Sequence, residues 1–238
     1  MGYLNILSFV LILTAANTQD VEIWSNLIEN VNTAIKVIEE DVLLMENKFR
    51  QQKEKVKIQL YYECLCPDCR QFDSKDFIHT YAHLVNYLEV HTYPYGNAQT
   101  TVHQDGSVEF ICQHGPTECY GNMLHACAIN IINNVTTSIL FNSCMMDYSN
   151  AGAGSDDKAA DKCGRIINVD TEPIKKCAKS KKGVDLLKYY GDESHKIEYT
   201  YVPFVLINGK EWNQDKDPNF MKAVCAAFVA SVPPPCAN

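Results

Sequence analysis

The sequence predicts an α/β domain that carries an α-helical, cysteine-rich insertion and is preceded by a long amphipathic helix. Three observations lead to this prediction. A β-strand pattern runs directly into a C-x-x-C motif at the start of a helix, and a second strand pattern, which contains a proline, follows more than a hundred residues later. Nine of the 11 cysteines lie between these two patterns. A chain of 238 residues with 46% hydrophobic content can bury a sizeable core.

The charge and the cysteine content limit the classes of partner and compartment. The chain has 21 Lys and Arg residues against 29 Asp and Glu residues, which gives a net charge of -8. Such a balance disfavours non-specific binding to nucleic acid, so no nucleic-acid partner is expected. Abundant cysteine indicates an oxidising compartment, and the odd count leaves at least one cysteine without a partner in the same chain.

The N-terminus supports the same compartment. An apolar run from Leu4 to Leu13 is followed by small residues that end at Ala16, although Lys and Arg are absent before the run. The run is too short to cross a bilayer, and it predicts a signal peptide over residues 1–16 rather than a buried helix or strand. No later segment has the length and hydropathy of a membrane span. A secreted or lysosomal protein is therefore expected.

Residues 20–55 predict one long amphipathic helix. The segment from Val21 to Val56 contains neither Pro nor Gly, and apolar residues recur at alternate spacings of three and four. The members of this row are Val21, Trp24, Ile28, Val31, Ile35, Ile38, Val42, Met45 and Phe49. This is the a/d pattern of a coiled coil. The helix either packs on its own domain, forms a homodimer through residues 21–52, or is a removable pro-segment.

A redox motif follows in a βαβ context. Residues 56–62 alternate apolar and polar side chains and predict a strand, after which come Cys66, Pro67, Asp68 and Cys69. Residues 71–87 have helical spacing, and a second strand is predicted over residues 88–93. A C-x-x-C motif between a strand and a helix is typical of thioredoxin-like redox chemistry. The predicted thioredoxin-like core comprises residues 56–111 and 196–232.

The position of the motif predicts the role of each cysteine. The N-terminus of a helix stabilises a thiolate, so Cys66 is expected to attack a substrate disulfide and Cys69 to resolve the mixed disulfide. Pro67 is tolerated at the first helical position, where its missing N–H costs nothing. Arg70 would lower the thiol pKa, whereas Asp68 would raise it. No bound cofactor is expected, since an external thiol can restore the dithiol.

Zinc binding and a structural disulfide are the rival interpretations of the C-x-x-C motif. Zinc would require further ligands at a suitable spacing, and the sequence contains no second C-x-x-C motif. No metal site is therefore expected.

The second strand pattern completes the predicted core. Residues 196–210 form an apolar run that ends in an Asn-Gly turn, but Pro203 lies within it. Proline normally disfavours a strand interior, and a cis bond between Val202 and Pro203 at the strand start would resolve the conflict. In thioredoxin-like proteins this loop lies against the C-x-x-C motif. A hairpin partner is predicted over residues 210–212 and a closing helix over residues 219–231.

A longer motif carries a resemblance to a known family. The segment from Cys112 to Cys127 resembles the C-Q-H-G-x2-E-C-x2-N-x4-C signature of the gamma-interferon-inducible lysosomal thiol reductase (GILT) family, and so do residues 93–98 and the Cys-Pro-Asp-Cys motif. The resemblance implies a thioredoxin-like core with a disulfide-bonded helical insertion over residues 112–195. It also implies reduction of protein disulfides at acidic pH in the endolysosomal route, with Cys66 and Cys69 as the catalytic pair.

The other cysteines are assigned by the compartment and by this resemblance. Eight are expected to form structural disulfides of unknown pairing: Cys112, Cys119, Cys127, Cys144, Cys163, Cys177, Cys225 and Cys236. In an oxidising compartment this interpretation is favoured over a metal site that includes His114. Cys64 departs from the family pattern and is the candidate for an unpaired thiol. Asn134 begins the single N-glycosylation sequon.

Two functions remain open from the sequence. The first is a thiol reductase that acts on disulfide-containing protein substrates, which the intact Cys66 and Cys69 pair favours. The second is a secreted binding protein that keeps the scaffold without catalysis and interacts through its N-terminal helix, which the added helix and Cys64 favour.

Overall fold

The computed structural model describes residues 18–53, 55–151, 154–229 and 231–237. The predicted signal peptide, residues 1–16, lies outside these ranges. The chain divides into a unit that ends at Lys53 and a unit that begins at residue 54. Among the helices that the described ranges contain, none has the length and hydropathy needed to span a membrane.

The described part of the first unit is one helix, α1 (Thr18–Lys53), of 36 residues. Its length follows from the absence of Pro and Gly, which are the residues that most readily interrupt a helix. The row of apolar residues that includes Ile28, Val31 and Ile35 has no second element to pack against in the described part of this unit.

The second unit is built on a four-stranded sheet with the order β2-β1-β5-β6. The strands are β1 (Val56–Tyr62), β2 (Leu88–Pro94), β5 (Phe204–Ile207) and β6 (Lys210–Trp212). The central strand β1 runs parallel to β2 and antiparallel to β5. Ile58 and Leu60 of β1 are fully buried in the main hydrophobic core. The redox motif follows the end of this central strand directly.

The helix after the redox motif is not regular. It comprises α2 (Pro67–Phe72), a π-helical turn (Asp73–Phe77), α3 (Ile78–Leu84) and a 3₁₀ turn (Val85–Tyr87). The apolar residues at the predicted helical spacing are nonetheless buried. Phe72, Phe77, Tyr81 and Leu84 all lie in the main hydrophobic core. A π-helical turn adds one residue to the helical repeat, which sequence periodicity does not reveal.

The proline in the second strand pattern shortens that strand. The bond between Val202 and Pro203 is cis, and β5 begins only at Phe204. Proline has no N–H to donate to a β-ladder, so the hydrogen-bonded pairing starts after it. A strand was predicted within residues 196–210, and only four of these residues, Phe204–Ile207, form it. Residues 196–203 form the loop that approaches the redox motif. The closing helix α10 (Phe220–Ala226) is likewise shorter than predicted.

In the described part of the chain, a hairpin and six helices lie between β2 and β5. The hairpin strands, β3 (Gln99–Val102) and β4 (Val108–Ile111), form a separate two-stranded sheet that the sequence analysis did not anticipate. The helices are α4 (Pro116–Ile131), α5 (Val135–Met146), α6 (Tyr148–Ala151), α7 (Asp157–Ile167), α8 (Glu172–Ala178) and α9 (Lys181–His195). They bury a second hydrophobic cluster that includes Leu124, Phe141 and Ile174.

A short break over residues 132–134 separates α4 from α5. Asn134 begins α5 as its N-cap, because its Oδ1 atom accepts a hydrogen bond from the Thr137 backbone N–H at 2.9 Å. Such a bond satisfies one of the backbone donors that have no partner within the first turn of a helix. The Asn134 side chain is exposed at this point.

Candidate active site

The redox motif lies at the N-terminus of α2, next to the loop that contains the cis proline. Cys66 is the N-cap residue and Pro67 occupies the first helical position. The Cys66 Sγ atom lies 4.0 Å from the Val202 carbonyl oxygen, so the first cysteine faces the loop that precedes β5. The structure thus brings Cys66 and Pro67 next to Val202 and Pro203, which come more than a hundred residues later in the sequence.

Cys66 has the properties of a nucleophile. Its pKa is lowered from 9.0 to about 6, chiefly because the Cys69 thiol donates a hydrogen bond to its sulfur. Burial opposes this shift, whereas the backbone N–H groups of Cys69 and Asp68 support it, and the charge of Asp68 raises the pKa as expected from the sequence. Cys66 is 7% exposed and Cys69 is 1% exposed. Of the two sulfurs, that of Cys66 is thus the more acidic and the more accessible.

Cys69 is held as a thiol. Burial and the neighbouring Cys66 raise its pKa well above the usual value, although the Glu63 backbone N–H, 3.5 Å from the Cys69 Sγ atom, lowers it. A protonated Cys69 donates a hydrogen bond that stabilises the Cys66 thiolate. The two cysteines therefore differ in role before any substrate arrives.

Arg70 does not act on Cys66 in the way the sequence suggested. Its side chain is buried, its Nε atom donates to the Met146 carbonyl at 2.7 Å, and its guanidinium lies 3.6 Å from the centre of the Tyr148 ring. None of the main contributions to the pKa of Cys66 comes from Arg70. Arg70 instead links α2 to the end of α5, with a cation–π contact to Tyr148.

Cys64 is free but enclosed. Its backbone N–H donates to the Asn122 Oδ1 atom at 3.0 Å, and its sulfur lies 3.6 Å from the Glu118 carbonyl oxygen. A Cβ atom placed on Gly121 would lie 2.5 Å from this sulfur, so α4 packs tightly against it. Burial raises the pKa of Cys64 well above its usual value. These features describe an inert packed thiol.

The other eight cysteines form four disulfides. The pairs are Cys112–Cys119, Cys127–Cys177, Cys144–Cys163 and Cys225–Cys236. Two of them connect helices of the insertion, namely α4 to α8 and α5 to α7. With Cys64, Cys66 and Cys69 free, this pairing accounts for the odd cysteine count.

Two buried carboxyl groups and an exposed histidine form an acid–base cluster beside the redox motif. The His114 Nδ1 atom is 2.6 Å from a Glu118 carboxylate oxygen and 3.4 Å from a Glu63 carboxylate oxygen. Burial raises the pKa of Glu63 to about 7, even though the Asn97 N–H donates to its carboxylate at 2.6 Å. Burial also lowers the pKa of His114, but Glu118 and Glu63 outweigh this effect and raise it above the usual value.

Glu63 does not stand out in the sequence, although residues 93–98 contain a signal for it. Gly96 has a φ angle of 63°, and a Cβ atom there would lie 2.1 Å from the Glu63 Cγ atom. Glycine at this position therefore permits both the turn and the close approach of the acid. The hydrogen bonds of His114 are made within this cluster, to the Glu118 carboxylate.

The cluster has the residue types of a metal site, and the shortest distance within it is that of a hydrogen bond. Among the described residues, Glu63, His114 and Glu118 place one potential ligand atom each within 4.8 Å of the others. Two ligands of one zinc ion, each about 2.0 Å from it, are separated by roughly 3.3 Å in a tetrahedral site. The 2.6 Å between His114 and Glu118 is instead a hydrogen bond.

A second polar network supports β1 from the insertion. The His125 Nδ1 atom lies 2.8 Å from the Tyr62 hydroxyl, and its Nε2 atom lies 3.0 Å from the Ser155 hydroxyl. Ser155 donates to the Met145 carbonyl, so it accepts from Nε2, and Nδ1 accepts from Tyr62. Burial lowers the pKa of His125 to about 3, which keeps the imidazole neutral. This network fixes the insertion to the strand that leads into the redox motif.

Two clefts flank the redox motif. One, of about 450 Å³, lies between α2, the cis-proline loop and the residues after β6. The other, of about 370 Å³, lies between Leu65 and the N-terminal turn of α4. Because Leu65 and Asp68 bracket Cys66, a polypeptide that crosses the nucleophile has a cleft on each side.

Comparison with known proteins agrees with this geometry. The family model described as gamma interferon inducible lysosomal thiol reductase (GILT) matches residues 57–167. The gamma-interferon-inducible lysosomal thiol reductase of Carassius auratus is 31% identical over 201 residues, which are 81% of this chain and 76% of that protein. GILT-like protein 1 of Drosophila melanogaster is 34% identical over 197 residues, 76% of this chain and 78% of that protein.

Solved structures agree in fold. The reduced DsbA of Mycobacterium tuberculosis has a TM-score of 0.52 at 17% identity and covers 75% of this chain and 84% of its own. The MdbA thiol-disulfide oxidoreductase of Actinomyces oris has a TM-score of 0.54 at 13% identity, with 76% and 83% covered. At this identity the likeness concerns the fold, and it confirms the predicted thioredoxin-like α/β class.

Proposed function

Since this chain belongs to the gamma interferon inducible lysosomal thiol reductase family and is a thiol–disulfide oxidoreductase, we propose that it reduces protein disulfides through Cys66 and Cys69 at acidic pH, in the lysosome or along the secretory route. The observation that carries the proposal is the lowered pKa of Cys66 at the N-terminus of α2. The names of the relatives support the compartment.

The proposed reaction transfers two electrons to the substrate. The Cys66 thiolate attacks one sulfur of a substrate disulfide, which breaks the substrate S–S bond, forms a mixed disulfide and releases the first substrate thiolate. Cys69 then gives its proton to the released substrate thiolate and attacks the Cys66 sulfur, which releases the second substrate thiolate. The enzyme is left with a Cys66–Cys69 disulfide, and two equivalents of an external thiol reduce it again without a bound cofactor.

The pKa of Cys66 makes acidic conditions accessible. At pH 5 a thiol with a pKa of about 6 is ionised to roughly one part in ten, whereas a thiol with a pKa of 9.0 is ionised to roughly one part in ten thousand. Because the thiolate is the attacking species, this difference sustains reduction where ordinary thiols are almost fully protonated.

The test is a reduction assay on a denatured disulfide-bonded protein with a thiol donor. We expect the purified protein to accelerate reduction at pH 5, with a rate that rises as the pH passes 6, because the thiolate fraction rises there. The control is the same protein after its accessible thiols have been alkylated. Equal rates with native and alkylated protein at both pH 5 and pH 7 would refute the proposal.

Two features of the chain suit the proposed route. A signal peptide over residues 1–16 would bring the chain into the secretory pathway. Asn134 is the proposed glycan acceptor, because it is exposed and caps α5 through its Oδ1 atom, which leaves the Nδ2 atom that would carry the glycan outside the capping bond. The relatives named lysosomal favour the lysosome as the destination.

A separate proposal concerns α1, which we infer forms a homodimer through residues 21–52. The a/d row supplies the apolar seam of a two-stranded coiled coil. We expect Val31→Asp with Ile35→Asp to convert a dimer into a monomer in analytical sedimentation. The matched control is Asn30→Asp with Thr33→Asp, which adds the same charge outside the row. A monomeric wild type, or dimers in both variants, would contradict dimerisation through this seam.

A further inference from the structure

The cleft of about 450 Å³ beside α2 has a lining that suits one class of substrate segment. Its walls come from three parts of the chain: the first turns of α2, the cis-proline loop, and the residues that follow β6. Asp68 and Gln71 lie on the first wall, Tyr201 on the second, and Asp215 on the third. Its volume is in the range of sites that bind small ligands or single side chains.

The cleft begins at the nucleophile. Asp68 follows Cys66 by two residues, and Val202, whose carbonyl oxygen lies 4.0 Å from the Cys66 sulfur, also lines the cleft. A polypeptide bound to Cys66 as a mixed disulfide therefore has its neighbouring residues at the mouth of this cleft. An extended chain advances about 3.3 Å per residue, so three residues reach roughly 10 Å from the cysteine.

The charged groups of the cleft are all of one sign. Asp68 and Asp215 line it and are exposed, and none of the lining residues is Lys, Arg or His. Neither carboxylate has an ion-pair partner within 4.0 Å among the residues that the structure describes. Glu211 adds a third carboxylate behind the lining, where it accepts a hydrogen bond from the Tyr201 hydroxyl at 2.7 Å. A concave surface with negative charge and no counter-charge concentrates cations.

The cleft also offers aromatic surface. Tyr201 is 38% exposed, so its ring is available to the aliphatic stem or the cationic end of a long basic side chain. Trp212 also lines the cleft, with 8% of its surface exposed.

We propose that this cleft is a substrate subsite that selects polypeptides with a Lys or Arg side chain within about three residues of the disulfide-bonded cysteine. The basic group lies between Asp68 and Asp215, with its stem against Tyr201. The subsite rests on the reductase function proposed above, because it places the selected residue next to a cysteine that reacts with Cys66.

The test uses three disulfide-linked peptides that differ only in the residue two positions from the cysteine: Lys, Gln or Glu. The measured quantity is the ratio of kcat/KM for the Lys peptide to that for the Glu peptide, with a constant thiol donor. We expect a ratio of about ten at low ionic strength, with the Gln peptide between them, and a ratio near one in 0.5 M salt.

Substitutions at Asp215 test whether the preference for the Lys peptide arises in the cleft. Asp215→Asn should lower the ratio to about three, and Asp215→Lys should lower it to about one or below. Because both kcat/KM values in a ratio are measured on the same variant, a change in Cys66 reactivity that affects the two peptides equally cancels. The matched control is Asp217→Asn, which removes a carboxylate from the same loop but outside the lining, and it should leave the ratio at the wild-type value.

The outcomes separate this inference from the function on which it rests. If the wild type reduces all three peptides at equal rates, or if Asp215→Lys keeps the wild-type ratio, the subsite is refuted while the reductase stands. If the wild type reduces neither the peptides nor a denatured protein, the proposed function fails and the subsite fails with it.

Discussion

Replacement of Cys66 with serine is expected to lower disulfide reduction by at least about a thousandfold. A serine hydroxyl stays protonated under conditions in which the Cys66 thiol, with its pKa of about 6, supplies a thiolate. It also cannot form the mixed disulfide through which electrons reach the substrate. The measurement is the rate of thiol release from a denatured disulfide-bonded protein at pH 5 and pH 7.

The control for this variant is Cys64→Ser. Cys64 is free and buried, and its sulfur packs against α4 beside Gly121, away from solvent. Serine is smaller and can still donate to the Glu118 carbonyl oxygen, so we expect activity within about twofold of wild type. Loss of activity in Cys64→Ser with retention in Cys66→Ser would reverse the assignment of the nucleophile.

Removal of the Cys127–Cys177 disulfide is expected to cause the largest loss of stability. The bond closes a loop with a sequence separation of 50 and connects α4 to α8. The chain-entropy relation gives about 4 kcal/mol for a loop of this length, which is a change of roughly a thousandfold in the unfolding equilibrium. Cys127 is also fully buried in the second hydrophobic cluster, so its replacement by Ala costs packing as well.

Urea unfolding of the Cys127→Ala, Cys177→Ala double variant measures this effect. The comparison is the Cys225→Ala, Cys236→Ala double variant, whose disulfide spans 11 residues, for which the same relation gives about 3 kcal/mol. We expect the first variant to have the lower free energy of unfolding. If it were as stable as the second, the disulfide between α4 and α8 would not hold the insertion together.

The parts of the fold that could be predicted from the sequence are those determined by residues close to one another along the chain. The strand over residues 56–62 was correct in its bounds, since alternation along one strand is a local pattern. Cys66 and Cys69 were chosen as candidates from their position between a strand and a helix, and both lie at the N-terminus of α2. The same reasoning failed for the closing helix and for the strand that starts after Pro203, because the ends of elements depend on tertiary contacts.

The parts that escaped prediction depend on contacts between distant residues. Glu63 meets His114 and Glu118 from about fifty residues away, and in the sequence it is one more acid beside a strand. The pairing of eight cysteines allows roughly a hundred arrangements, and spacing alone does not distinguish them. The hairpin of β3 and β4 was missed because its strands have four residues each and carry mostly exposed side chains.

The long-range contacts around the redox motif also affect how the protein is made. Tyr62 contacts His125, Cys64 contacts Asn122, and Cys66 faces Val202, with separations of 63, 58 and 136 residues. The contact between Cys66 and Val202 forms only after most of the chain has been synthesised. The groups that lower the pKa of Cys66 are by contrast local, since they are the Cys69 thiol and the backbone N–H groups of Asp68 and Cys69. We therefore expect the thiol of Cys66 to become acidic once α2 has formed, and the cis-proline loop to reach it last.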